Sequence, residues 1–205
     1  MLLQEIFGLN ANIRAIADGY AARGYSVVAP DLFWRQEPGV QLDPANAADR
    51  DRATALMKGL DQRLVVADAL AAASYLSALK GASGKVGAVG YCLGGKLAYL
   101  LAAHPEIHSA VSYYGVAIQA ELGAAADIAC PLLLHIAMDD HLCPPLAQSA
   151  IREALGPVEG VEILEYPGVG HAFARRGGPG FNAVAAERAD MATAAFLTHT
   201  LGAPI

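Results

Sequence analysis

Short, near-continuous apolar runs recur along the chain, separated by longer stretches in which apolar residues return every three or four positions. The short runs predict strands at 2–4, 26–29, 86–89, 109–113, 132–136 and 161–165, and the longer ones predict helices at 13–22, 63–79, 95–103, 146–154 and 183–198. Strands apolar on both sides of the pleat need cover on both faces, and parallel pairing needs helical crossovers. The expected fold is therefore an α/β class, mostly parallel, doubly wound sheet with helices on both faces, formed as one domain over residues 1–205. One stretch resists the alternation. Residues 30–61 are polar and broken by Pro38, Gly39 and Pro44, with room for a helix over about 45–57. Long excursions of this kind often build the pocket of an α/β enzyme. The first strand begins directly after Met1, so edge strands ahead of it are expected to be missing.

Composition narrows the function classes. The chain has 205 residues, 55% hydrophobic and 17% charged, which supports a core without disulfides and excludes disorder. A net charge of −6 without a Lys/Arg run argues against nucleic-acid and anionic-membrane partners. The apolar runs fall short of the roughly 18 residues of a membrane span. The opening Met1-Leu2-Leu3-Gln4-Glu5 has neither the basic segment nor the cleavage site of a secretory leader. Three cysteines, Cys92, Cys130 and Cys143, form no Cys-x-x-Cys pair and suit a reducing cytoplasm. His104 and His108 are four apart, but Pro105 blocks the helix that would align them, so neither a metal nor another cofactor is expected. A monomer acting on a small molecule is the expected state.

The strongest local signal is Val86-Gly87-Ala88-Val89-Gly90-Tyr91-Cys92-Leu93-Gly94-Gly95-Lys96. An apolar strand enters Gly-x-Cys-x-Gly-Gly and a helical pattern follows, the context of a nucleophile elbow with cysteine in the usual serine position. Residue 92 needs a strained turn there, and side chains at 90 and 94 would strike the neighbouring helix and strand. The helix N-terminus behind it favours a thiolate. A buried structural cysteine beside a glycine-rich turn is the plain alternative. The same residues match a phosphate-binding loop up to the last position, where Leu97 lacks the hydroxyl that would hold magnesium.

An elbow of this type takes its acid and then its histidine from loops after later strands. Met138-Asp139-Asp140-His141 follows one strand, and Tyr166-Pro167-Gly168-Val169-Gly170-His171 follows the next. Cys92 would be the nucleophile, His171 the base, and an aspartate the group fixing the imidazole tautomer. Asp140 lies deeper in its loop than Asp139, although either could begin a turn, and His171 could equally be a loop histidine bonded to backbone.

Taken in order, Gln4-Glu5-Ile6-Phe7-Gly8-Leu9-Asn10, Pro30-Asp31-Leu32, the cysteine elbow, Tyr113-Tyr114-Gly115-Val116, Asp140-His141 and Gly170-His171-Ala172-Phe173-Ala174-Arg175 resemble the dienelactone hydrolase (carboxymethylenebutenolidase) family from Leu2 to about Leu197. The resemblance implies an α/β-hydrolase fold, a Cys92–Asp140–His171 triad and an enzyme opening carboxylate-bearing enol-lactones through a thioester. It implies that Glu5 contacts the resting thiol, that the Ile6 and Leu93 amides form the oxyanion hole, and that Arg50 and Arg175 bind the substrate carboxylate. Members of the family carry a further stretch ahead of the position of Met1, and aromatic residues of their pocket are replaced here by Thr54 and Met57. On the residues alone, Arg50 lies in a run, Asp49-Arg50-Asp51-Arg52, that suits a solvated helix face as well as a pocket. A general esterase or thioesterase using the same three groups, and a non-catalytic thiol sensor, are the alternative functions.

Overall fold

Successive strand residues alternate between two apolar cores, one on each face of a single sheet. In the computed structural model, which describes residues 1–203, the strands are β1 (Leu2–Leu3), β2 (Gly87–Tyr91), β3 (Ser109–Tyr113), β4 (Leu132–Ala137) and β5 (Val161–Tyr166). They pair in that spatial order, all parallel. The helices are α1 (Ala11–Ala21), α2 (Ala47–Lys58), α3 (Gln62–Ser77), α4 (Leu93–Leu101), α5 (Pro145–Leu155) and α6 (Ala183–Leu201). Leu132 and Leu134 of β4 join a core with α2, α3, α4 and α5, whereas Leu133 and Ala137 join one with α1 and α6. The doubly wound arrangement follows from that alternation.

The expected strand at 26–29 does not form. This segment lies beside β1 and is joined to it by a bond of 2.9 Å from the Leu2 amide to the Val28 carbonyl. That single bond, without a second to continue it, does not make a ladder. The opposite edge, β5, is half-buried and carries Glu162 and Glu165, charges that oppose pairing with another sheet. Within the polar excursion, α2 starts at Asn46, whose side chain accepts from the amides of Ala48 and Asp49. Among the described residues, no helix is long and apolar enough to cross a membrane.

Parallel pairing brings the carboxyl ends of all five strands to one edge, and the candidate residues leave the sheet there. Cys92 directly follows β2, Asp140 lies in the loop after β4, and His171 lies in the loop after β5. Open α/β sheets bind ligands at this edge.

Candidate active site

Cys92 stands between β2 and α4 with φ 56° and ψ −112°, a backbone that non-glycine residues rarely adopt and that costs of order 1–3 kcal/mol. Two glycines let the bend close. A Cβ on Gly90 would lie 1.9 Å from the Gly94 carbonyl oxygen, and one on Gly94 would lie 2.3 Å from that of Leu3. Each contact is with backbone, so a side chain at either position forces the elbow open. The bend is also bonded into the sheet: the Cys92 amide donates to the Tyr113 carbonyl at 3.0 Å, and its carbonyl accepts from Lys96 and Val116. The side chain is buried at the N-terminus of α4.

The acid and base loops are fastened to each other. Met138 donates its amide to the Tyr166 carbonyl and Asp139 donates to that of Val169. Gln148 of α5, which the sequence reading missed, bonds the Met138 and Cys143 carbonyls at 3.0 and 2.7 Å and clamps the Asp140 loop from below. A buried glutamine on an amphipathic helix carries no distinctive sequence signal, so only its contacts reveal it. Asp140 is buried, whereas Asp139 is exposed. One Asp140 oxygen accepts the Leu142 amide at 2.8 Å and the other meets His171 Nδ1 at 2.8 Å. That bond presents Nε2 as the free nitrogen, which is buried and lacks a hydrogen-bond partner among the described residues. Burial pushes the His171 imidazolium down, but the bond to Asp140 and the neighbouring Cys92 outweigh it and lift the pKa to about 10. The sulfur thus acts on the charge of the ring.

On the other side of the sulfur is the loop after β1. The Gly94 amide donates to the Gln4 carbonyl at 3.0 Å, so this loop is tied to the elbow, and residues 7–9 are held by bonds between Leu9 and Val40 and between Leu42 and Phe7. The Ile6 and Leu93 amides, on the two tied segments, have no internal acceptor among the described residues. Glu5 is buried and does not bond the thiol. One of its oxygens accepts Arg175 Nε at 2.7 Å, and the other has no partner among the described residues. The Arg175 guanidinium also lies 5.0 Å from the centre of the Phe7 ring. Burial works against its charge, but Glu5 more than offsets this and raises its pKa. Tyr114 packs edge-on to His171 with ring centres 5.1 Å apart, and its buried hydroxyl has no hydrogen-bond partner among the described residues. Burial, followed by Glu5, pushes its pKa well above the ordinary value, so it is a neutral phenol.

Arg50 is not brought to this group. It is exposed on α2, and Nη1 donates to the carbonyls of Pro44 and Ala45 at 3.0 and 2.8 Å, bracing its own helix entry. Thr54 bonds back to the Arg50 carbonyl, and Met57 packs on the core. The structure therefore gathers Cys92, His171, Asp140, Glu5, Arg175 and the Ile6 and Leu93 amides at one edge, and Arg50 shares no hydrogen bond or ion pair with them among the described residues. Such a set, a thiol beside an oriented imidazole with free amides opposite, is equipped for acyl transfer.

Comparison with known proteins gives the family. The family model for the dienelactone hydrolase family matches residues 1–201. An Azospirillum brasilense protein provisionally assigned as a carboxymethylenebutenolidase is 42% identical over 98% of this chain and 87% of its own length. The Pseudomonas putida carboxymethylenebutenolidase is 38% identical over 93% and 80%. A crystal structure from Klebsiella pneumoniae, provisionally assigned as a dienelactone hydrolase, superposes with a TM-score of 0.83 at 26% identity, covering 96% of this chain and 85% of that one. The chain belongs to the dienelactone hydrolase family of ester-bond hydrolases.

Proposed function

We propose that the enzyme opens enol-lactones that carry a carboxylate, with Cys92 as nucleophile and a thioester as the intermediate. The observation that carries this reading is the 2.8 Å bond from Asp140 to His171, which leaves Nε2 beside the sulfur of a cysteine on a strained bend. The substrate carboxylate competes with Glu5 for Arg175, and the Cys92 thiol passes its proton to His171 Nε2, giving the imidazolium–thiolate pair that the Asp140 bond and the neighbouring sulfur favour. The Cys92 thiolate then attacks the lactone carbonyl carbon, and the resulting oxyanion accepts hydrogen bonds from the Ile6 and Leu93 amides. Collapse of this adduct breaks the ring carbon–oxygen bond and releases an enolate, a stable leaving group that needs little acid assistance. Its proton comes from the imidazolium, and the product tautomerises to a ketone. His171, neutral again, takes a proton from water as that water attacks the thioester, and the thiolate leaves with the carboxylic acid formed.

The test is turnover of a carboxylated enol-lactone by wild type and Cys92→Ala. Loss of at least about 10³-fold in kcat is expected for removal of a nucleophile; undiminished turnover by Cys92→Ala overturns the scheme. Rates on a neutral aryl ester locate the specificity, since Arg175 has a carboxylate to bind only in the lactone.

A further inference from the structure

The polar excursion at 30–61 braces the loop after β1. Asp31 closes its first part on itself, one oxygen accepting the Phe33 amide at 2.9 Å and the other the Gly39 amide at 2.7 Å. That turn delivers residues 40–42 alongside residues 7–9. Gly8 and Gln41 bridge there in antiparallel sense, with Gly8 at φ 74° and so close that a Cβ on it would lie 1.9 Å from the Val40 carbonyl oxygen. Ahead of this bridge, the Leu32 amide donates to Gln4 Oε1 at 3.4 Å. The loop is therefore fastened to the excursion at Gln4 and again from Phe7 onward, and Glu5 and Ile6 form the span between the two fastenings.

Asn10 closes the second fastening. Its Nδ2 donates to the Leu42 carbonyl at 3.3 Å, while Oδ1 accepts the Ile13 amide at 3.2 Å as the N-cap of α1. The Leu42 amide in turn donates to the Phe7 carbonyl at 2.9 Å, so the backbone of Leu42 is held on one side by Phe7 and on the other by Asn10. Asn10 is buried, and Ile13 of the same helix packs in the core against Leu2 and Val89, which gives the clamp a rigid base. A helix cap needs only a side-chain oxygen, which serine or aspartate supplies as well. The bond to Leu42 is what asparagine adds.

We propose that Asn10 is a positioning residue for the oxyanion hole: by fixing Leu42, and through it Phe7, it keeps the Ile6 amide aimed at the reacting oxygen. An oxyanion hole works because its donors are set before charge develops, and a small displacement of one donor forfeits much of its effect. This rests on the proposed function for the Cys92 nucleophile and the Ile6 donor; the assignment of Asn10 rests on its two bonds.

The experiment compares two reagents for the Cys92 thiol in wild type, Asn10→Ser and Asn10→Asp, variants that keep an oxygen for the cap of α1 and give up Nδ2. Trifluoroacetone bonds its carbonyl carbon to the sulfur; the carbonyl π pair moves onto oxygen as an oxyanion, and the thiol proton passes to His171. Its Kd, read by fluorine NMR, therefore depends on the oxyanion hole. Iodoacetamide transfers a carbon to the sulfur as iodide leaves, and forms no oxyanion. In both variants the Kd for trifluoroacetone is expected to rise by about 10-fold, part of the roughly 10²–10³-fold lost when an oxyanion donor is deleted outright. The rate of alkylation by iodoacetamide should stay within about 2-fold of wild type, and kcat on a carboxylated enol-lactone should fall by about 10-fold with KM nearly unchanged. An unchanged Kd for trifluoroacetone in both variants, or adduct formation and alkylation weakened equally, overturns the proposal. Failure of the lactone reading shows separately, as a wild type that forms the Cys92 adduct and opens no carboxylated enol-lactone. A wild type that forms no adduct overturns the nucleophile, and the role of Asn10 with it.

Discussion

His171 and His135 are two enclosed imidazoles set by the same pair of neighbouring strands, yet they titrate at opposite ends of the scale. His135 projects from β4, fully buried, with Nδ1 2.8 Å from the Tyr166 hydroxyl and Nε2 2.9 Å from that of Thr193. Burial, reinforced by Arg188, pushes its pKa down to about 3. His171, one loop beyond β5, has a hydrogen bond of the same length but to a carboxylate, with a thiol beside its second nitrogen, and it rises to about 10. Burial acts in the same direction on both; the charge of the partner decides the outcome. The first region is a hydrogen-bond network around a neutral ring that holds α6 against the sheet, extended through Thr193 to Tyr113 and Asp190. The second can hold and move a proton. A perturbed histidine marks chemistry here only where the perturbation runs toward the charged form.

The contrast is broken most forcefully at Asp140. Asp140→Asn removes the charge while keeping the shape, so kcat should fall by about 10³–10⁴-fold, and the His171 pKa, read by nitrogen NMR, should drop from about 10 toward its ordinary 6.5. A pKa that stays near 10 in this variant would assign the shift to another group. Next in size is the elbow. Gly94→Ala places a Cβ against the Leu3 carbonyl, and denaturant unfolding should show a loss of about 1–3 kcal/mol together with slower alkylation of Cys92 by iodoacetamide. In the other region, His135→Phe strands the Tyr166 and Thr193 hydroxyls and should cost about 1–3 kcal/mol in stability, while iodoacetamide alkylation of Cys92 keeps its rate and pH profile. A changed profile would mean that the two regions are coupled.

The gentlest probe is folding stability against pH. His135 binds its proton more weakly in the fold than in the open chain, so stability falls as pH drops from 6.5 through about 3. His171 binds its proton more tightly in the fold, so its contribution is complete below 6.5 and is lost as pH climbs through about 10. The His135 part of the acid arm should vanish in His135→Phe and the His171 part of the alkaline arm in Asp140→Asn.

The same division explains what the sequence made legible. The elbow could be read because its chemistry is backbone chemistry: only glycines fit beside a residue bent as Cys92 is, so the spacing is written directly in the chain. Asp140 and His171 could be read because each follows a strand set out by its apolar pattern; of the two aspartates, Asp140 is the buried one and the one that meets His171 Nδ1. Side-chain partners were harder. Glu5 was expected at the thiol and is held by Arg175 from 170 positions away, a contact that no local pattern encodes. Arg50 was expected in the pocket, but its helix starts at Ala47 and puts the guanidinium within reach of the carbonyls of its own entry turn. The 26–29 segment was read as a strand from its composition, whereas a ladder needs successive bonds to its neighbour and this segment makes one, to Leu2.

The most direct measurement is rapid-quench mass spectrometry during turnover of a carboxylated enol-lactone. After acid quench and pepsin digestion, the peptide containing Cys92 should carry the full mass of the lactone as a thioester that forms and decays within a turnover. Steady hydrolysis with an unmodified Cys92 peptide, or an acyl group found on a different residue, would contradict the account.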